Sequence, residues 1–195
     1  MNVFITAYFA AIVLQIVIRA RIDRARRHEK RADQRISRRE RASLTLLSFG
    51  LLLIPIVYAS TDWLDFADYR LPAAAGWLGV VVLAGSLVVF WRGHADLGLN
   101  WSPSLEIRER HELITRGIYS VIRHPMYASL LLWALAQPLL LHNWIAGGLG
   151  PIVFPLFYFL RVGPEERMML DTFGAEYRGY MQRVGGLVPR FPRHR

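Results

Sequence analysis

The chain of 195 residues has no cysteine, which excludes a disulfide framework, a thiolate nucleophile and cysteine-ligated zinc. Lysine is nearly missing too, since Lys30 is the one lysine among 24 basic residues. Charged residues make up only 20% of the chain against 53% hydrophobic, where soluble domains carry roughly a quarter charged. Familiar catalytic signatures also fail. His111-Glu112-Leu113-Ile114-Thr115 has Thr115 where a zinc-protease helix needs its second histidine, so no metal site is read there. The Gly-Gly pairs at 147–148 and 185–186 lack the lysine of a phosphate loop, and no Gly-x-Ser-x-Gly elbow occurs. Neither an internal repeat nor a low-complexity linker divides the chain, and residues 1–195 read as a single domain.

What the sequence has instead is long apolar runs, at residues 3–18, 42–60, 71–91, 126–141 and 144–160. They predict an all-α integral membrane protein of about five transmembrane helices. At about 1.5 Å per residue the sixteen-residue runs cover about 24 Å of a ~30 Å core, so they borrow flanking residues. The first run has its basic cluster after it rather than before, the flank pattern of a retained helix and not of a cleaved signal. Only His142 and Asn143 separate the last two runs, predicting a tight helical hairpin.

Charge asymmetry orients the spans. Residues 19–41 carry eleven basic and four acidic side chains, while Asp62, Asp65 and Asp68 face only Arg70 in the loop 61–70. By the positive-inside rule the basic loop, the segment before the fourth run and the carboxy-terminal tail are cytoplasmic. The basic stretch has no aromatics and has acids at Asp23, Glu29, Asp33 and Glu40, so it reads as a headgroup-facing helical extension and not as a nucleic-acid arm. The arginine bias hints at a GC-rich genome, hence a bacterial inner membrane with any site facing the cytoplasm. The last element, 164–183, begins with Pro164, Glu165 and Glu166, and repeats Met169, Phe173, Tyr177 and Tyr180 along one face. It predicts a carboxy-terminal amphipathic helix, separated from the fifth span by a break at Gly163-Pro164. His28, His94, His142 and His194 read as surface or interfacial residues.

Reactive residue types are dense in two segments, 100–127 and 161–183, which the hairpin returns to one face. The order His111-x-Leu113-Ile114-x-x-Gly117-x-Tyr119, Arg123-His124-Pro125-x-Tyr127, Arg161-x-x-x-Glu165-Glu166 and Phe173-Gly174-x-Glu176-Tyr177-x-x-Tyr180-x-x-Arg183 resembles the isoprenylcysteine carboxyl methyltransferase family across roughly residues 100–190. The resemblance implies variable helices over 1–91 and a motif-bearing catalytic part over 92–195. It implies S-adenosylmethionine in a pocket open to the cytosol, touched by His111, Leu113, Ile114, Tyr119, His124, Pro125, Tyr127 and Glu165. Arg161 matches the residue that engages the acceptor, with Glu165 beside it as a second catalytic position, and Glu106 falls near a position the family often fills with glutamine.

Those residue types suit the chemistry. A donor with an aromatic base, a cationic amino group and a sulfonium asks for aromatics, histidines and an acid. Methyl transfer to a carboxylate needs positioning more than a base, and an arginine fork positions a carboxylate. The acceptor this implies is a lipophilic or prenylated molecule entering from the bilayer. Alternatives sharing the scaffold are a phospholipid amine methyltransferase, disfavoured by Arg161, an NADPH-dependent sterol-type reductase, and a non-enzymatic membrane protein.

Overall fold

The computed structural model describes residues 2–25, 38–98 and 113–190. They form α1 (Val3–Ala25), α2 (Arg38–Ser48), a π-helical turn (Phe49–Leu53), α3 (Ile54–Ser60), α4 (Ala73–Leu97), α5 (Pro125–Leu141) and α6 (Leu149–Arg183), with 3-10 turns at Asp65–Ala67 and Gly117–Ser120. Among the described residues the β-type pairings are two isolated bridges, Asp68 with Asn143 and Ile122 with Gly185. The all-helical expectation holds. Three stretches are long and apolar enough to cross a bilayer, Val3–Arg21, Arg41–Ser60 and Ala73–Leu97, while Pro125–Leu141 is apolar but shorter.

The hairpin differs from its expected form. Residues 144–148 form a turn and not yet a helix; after the left-handed His142, Asn143 Oδ1 accepts from the Ile145 and Ala146 amides at 3.0 and 2.8 Å. That tip docks on the loop before α4. Trp144 N–H donates to Ala67 O and Tyr69 N–H to His142 O, both at 2.9 Å, and Asn143 Nδ2 reaches Leu64 O and Asp68 Oδ1 at 2.7 Å. At the other end of α4, Gly93 lies against Pro125 and Met126. So α5, though only 17 residues long, runs between the same two levels as α4. α6 also presents Ile152, Leu156, Phe159 and Leu160 outward at 50–73% exposure, a surface suited to hydrocarbon.

Small residues bring these helices together. Gly76, Gly79, Ser86 and Gly93 lie buried on α4, and a Cβ at Gly76 would stand 2.4 Å from the Phe4 ring, one at Gly79 2.8 Å from Leu139. Close approach of backbones replaces the hydrophobic drive that lipid tails do not supply. Around this seam pack Phe4, Tyr8, Ala11, Leu83, Trp133, Ala136 and Leu140. Ser86 donates to Ser129 O at 2.8 Å between α4 and α5.

The π-helical turn follows from Pro55. Ile54 N–H donates five residues back to Phe49 O, and proline has no N–H to offer, which strands the carbonyls of Gly50 and Leu51. Other helices supply the missing donors. Gln137 Nε2 reaches Gly50 O at 2.9 Å and Tyr8 OH reaches Leu51 O at 2.6 Å, as an apolar interior requires.

Candidate active site

α6 runs unbroken through Gly163-Pro164, and the expected break lies instead at Gly174, whose φ of 50° and ψ of −119° leave the helical region. A proline inside a helix removes one hydrogen bond without forbidding the neighbouring turns, whereas Gly174 adopts a backbone conformation closed to other residues. Arg161 and Glu165 therefore stand one helical turn apart. Past Gly174 the chain folds back, and Tyr177, Tyr180 and Val184 bury against Leu113, Met169, Leu170 and Phe173. The tyrosine stripe of the amphipathic helix is thus internal packing.

Opposite α6, His124 stands at the start of α5 ahead of Pro125, its φ of −122° and ψ of 62° outside the helical region that proline disfavours for the residue before it. Its position is fixed from the carboxy-terminal side. Arg123 N–H donates to Gly185 O at 2.8 Å and His124 N–H to Gly186 O at 3.1 Å. The Arg123 guanidinium donates to Met181 O at 3.3 Å, to Val184 O, and to Glu166 Oε1 at 2.8 Å.

The His124 ring lies between two carboxylates, its Nε2 3.0 Å from Glu166 Oε1 and its Nδ1 3.6 Å from Glu165 Oε1. Burial disfavours its charge, but hydrogen bonds to both acids overcome this and raise its pKa above the ordinary 6.5. When protonated, the ring carries an N–H on the side of each carboxylate. On Glu166 the His124 hydrogen bond is the largest influence; with Arg123 it outweighs burial and brings the carboxyl to about 2. Burial pushes the Glu165 carboxyl up, yet His124, the Tyr127 hydroxyl and the Arg161 charge hold it below its ordinary value. Tyr127 OH donates to Glu165 Oε2 at 2.5 Å. Arg161 is buried, 9% exposed, with its guanidinium carbon 5.6 Å above the Phe157 ring.

The structure therefore gathers His124, Pro125, Tyr127, Arg161 and Glu165 into one charged cluster at the end of the hairpin. Tyr119 flanks it, donating to Gly93 O at 3.3 Å while its own carbonyl accepts from Tyr180 OH at 2.5 Å. Leu113 and the buried Ile114 belong to the neighbouring packing, and His111 and Glu106 lie outside the described residues. Two residues gain a role that sequence reading did not assign, Arg123 and Glu166. Their signal was adjacency, each next to a candidate in its motif. His94, expected at the surface or interface, is 1% exposed; α4 extends past the predicted end at 91, and His94 Nδ1 lies 2.9 Å from Phe90 O.

Among the described residues, helices long and apolar enough to cross a bilayer, with a cluster of buried charge beside them, define an integral membrane protein. The profile of the isoprenylcysteine carboxyl methyltransferase family matches residues 77–171. A probable protein-S-isoprenylcysteine O-methyltransferase of Oryza sativa subsp. indica is 33% identical over 131 residues, covering 66% of this chain and 69% of the relative. Protein-S-isoprenylcysteine O-methyltransferase B of Arabidopsis thaliana is 34% identical over 47% of this chain and 48% of its own length. The Schizosaccharomyces pombe enzyme is 35% identical over 42% of this chain and 35% of its own length. The chain thus spans about half or less of the latter two relatives. Its fold is shared with a solved eukaryotic intramembrane Ras methyltransferase, an isoprenylcysteine carboxyl methyltransferase, at TM-score 0.53 and 24% identity over 77% of this chain and 50% of that one. The chain belongs to the isoprenylcysteine carboxyl methyltransferase family.

Proposed function

We propose that the chain transfers a methyl group from S-adenosylmethionine to the carboxylate of an isoprenylcysteine-like acceptor at the membrane. The observation that carries this reading is the buried Arg161 one turn from Glu165, at the end of a lipid-exposed hairpin. A buried guanidinium facing an apolar boundary suits an acceptor whose head is anionic and whose tail stays in hydrocarbon.

The donor set fits the cofactor. S-adenosylmethionine supplies an electrophilic methyl group on a sulfonium when bound. Glu165, kept ionised by His124, Tyr127 and Arg161, offers a carboxylate to a cationic ligand, while Tyr127, Pro125, Tyr119, Leu113 and Ile114 offer aromatic and apolar surface; His111 completes the proposed set. Arg161 orients the acceptor carboxylate through its planar fork, and alignment rather than proton transfer is the main catalytic term. A carboxylate oxygen is already a nucleophile, so no side chain need accept a proton.

The proposal includes five crossings with the site facing the cytoplasm. The hairpin contributes two of them, because its tip meets the loop before α4 and its other end meets Gly93. The bacterial inner membrane rests on arginine bias alone, and the relatives described are eukaryotic. Methyl transfer from labelled S-adenosylmethionine to prenylcysteine, phospholipid, fatty-acid and thiol acceptors tests the reaction, with selective labelling of prenylcysteine as the expected result. Labelling of a phospholipid amine alone would replace it with amine methylation. Reporter fusions after Arg41 and after Arg92 should be cytoplasmic and one at Asp65 external; a cytoplasmic Asp65 would overturn the topology.

A further inference from the structure

A groove on α2 lies away from the charged cluster. Arg38, Arg41, Ala42, Thr45, Leu46 and Phe49 line it, and it is a shallow, open groove of about 540 Å³. These positions recur at three- and four-residue spacing, so they share one face of α2 and of the π-helical turn that continues it. The opposite face holds the buried Ser43, with Leu44 and Leu47 packed on Tyr127, Phe154 and Phe157. The groove accordingly points outward, to where the bilayer lies.

Its chemistry changes along the helix. Arg41 is the first residue of the apolar span Arg41–Ser60, so the two arginines stand at headgroup level. Phe49, 43% exposed, lies about 12 Å deeper at 1.5 Å per residue, among acyl chains. We propose that this groove binds an anionic phospholipid, its phosphate held by the Arg38 and Arg41 guanidinium groups and its acyl chain lying along Ala42, Leu46 and Phe49. A guanidinium fork matches a phosphate. Two such cations leave a zwitterionic headgroup at a disadvantage, because its own ammonium is brought towards like charge. The inference does not depend on the methyl-transfer reading.

Native mass spectrometry of the purified full chain in detergent, given equal amounts of dioleoyl phosphatidylglycerol and dioleoyl phosphatidylcholine, tests it. The wild-type chain should retain phosphatidylglycerol preferentially. Arg38→Gln with Arg41→Gln should reduce that preference by about thirtyfold, at roughly fivefold for each cation near an anionic headgroup. Arg178→Gln with Arg183→Gln removes the same charge from exposed positions on α6 and should leave the preference intact. Leu46→Ser with Phe49→Ser should weaken retention of both lipids. Equal retention of the two lipids by the wild type, or an equal loss in the α6 variant, would refute the site. Displacement of phosphatidylglycerol by inorganic phosphate or by a farnesylated cysteine would refute it as well, reassigning the groove to a free anion or to the acceptor. A dimer without bound lipid would give it to a second copy.

Discussion

Replacing Glu166 by Gln keeps the shape of the side chain and removes the charge that Arg123 and His124 share. Moving a carboxyl from 4.5 to about 2 corresponds to about 3 kcal/mol favouring its ionised form. With 22% of the side chain facing solvent, screening leaves about 1–2 kcal/mol. For a chain of this size that lowers Tm by about 2–8 °C. The pH dependence is the sharper readout. His124 has a raised pKa, so its contribution to stability is complete below about 6.5 and is lost as pH rises through its folded value. Glu166 has a depressed pKa, so its contribution is complete above about 4.5 and is lost as pH falls through about 2. Thermal unfolding in detergent across this range should place the wild-type maximum between those limits, with a decline on the alkaline side. In Glu166→Gln the maximum should be lower and the alkaline decline shallower, because His124 keeps Glu165 as its single carboxylate neighbour. An unchanged Tm and an unchanged pH profile would show that the cluster holds no charge-assisted bond of this strength.

Arg161→Lys preserves the charge and loses the fork, so turnover at saturating cofactor should fall about tenfold or more while S-adenosylhomocysteine affinity changes little; wild-type turnover would remove Arg161 from the acceptor site. Gln137→Leu strands the Gly50 carbonyl and should cost about 1–3 kcal/mol, and in a Pro55→Ala background, where an N–H is restored, the loss should shrink by about 1 kcal/mol, as a double-mutant cycle of unfolding temperatures would read. Gly117→Ala forces a Cβ to within 2.3 Å of the Asp96 carboxylate at a φ of 61°; a loss of about 1–3 kcal/mol in thermal stability is expected, and a variant as stable as the wild type would contradict the described turn.

Hydrophobic runs made the membrane helices legible, since length and apolarity alone decide whether a segment suits hydrocarbon. Their ends were harder to place. The turn between Asn143 and the start of α6 at Leu149 carries side-chain bonds to the Ile145 and Ala146 amides, and an apolar count does not register them. Gly163-Pro164 reads as a break in any sequence, yet neighbouring turns carry α6 across it. That His124, Tyr127 and Glu165 come together was readable because their spacing is shared with a family. Arg123 and Glu166 were not, because an arginine beside a span has an ordinary explanation as an anchor, and only the folded chain shows its three protein acceptors.

The amides of Arg123 and His124 are held by carbonyls sixty residues further along, at Gly185 and Gly186. During synthesis the helices can enter the membrane one by one, but the amino-terminal half of the cluster stays unbuckled until that late segment has left the ribosome. Assembly of the cluster therefore waits on residues 185 and 186 and not on insertion of the helices alone. A truncation at Arg183 would leave a chain that keeps α1 to α6 and lacks the carbonyls that register His124. A fusion partner joined there would have the same effect, whereas one joined beyond Arg190 would leave the clasp intact.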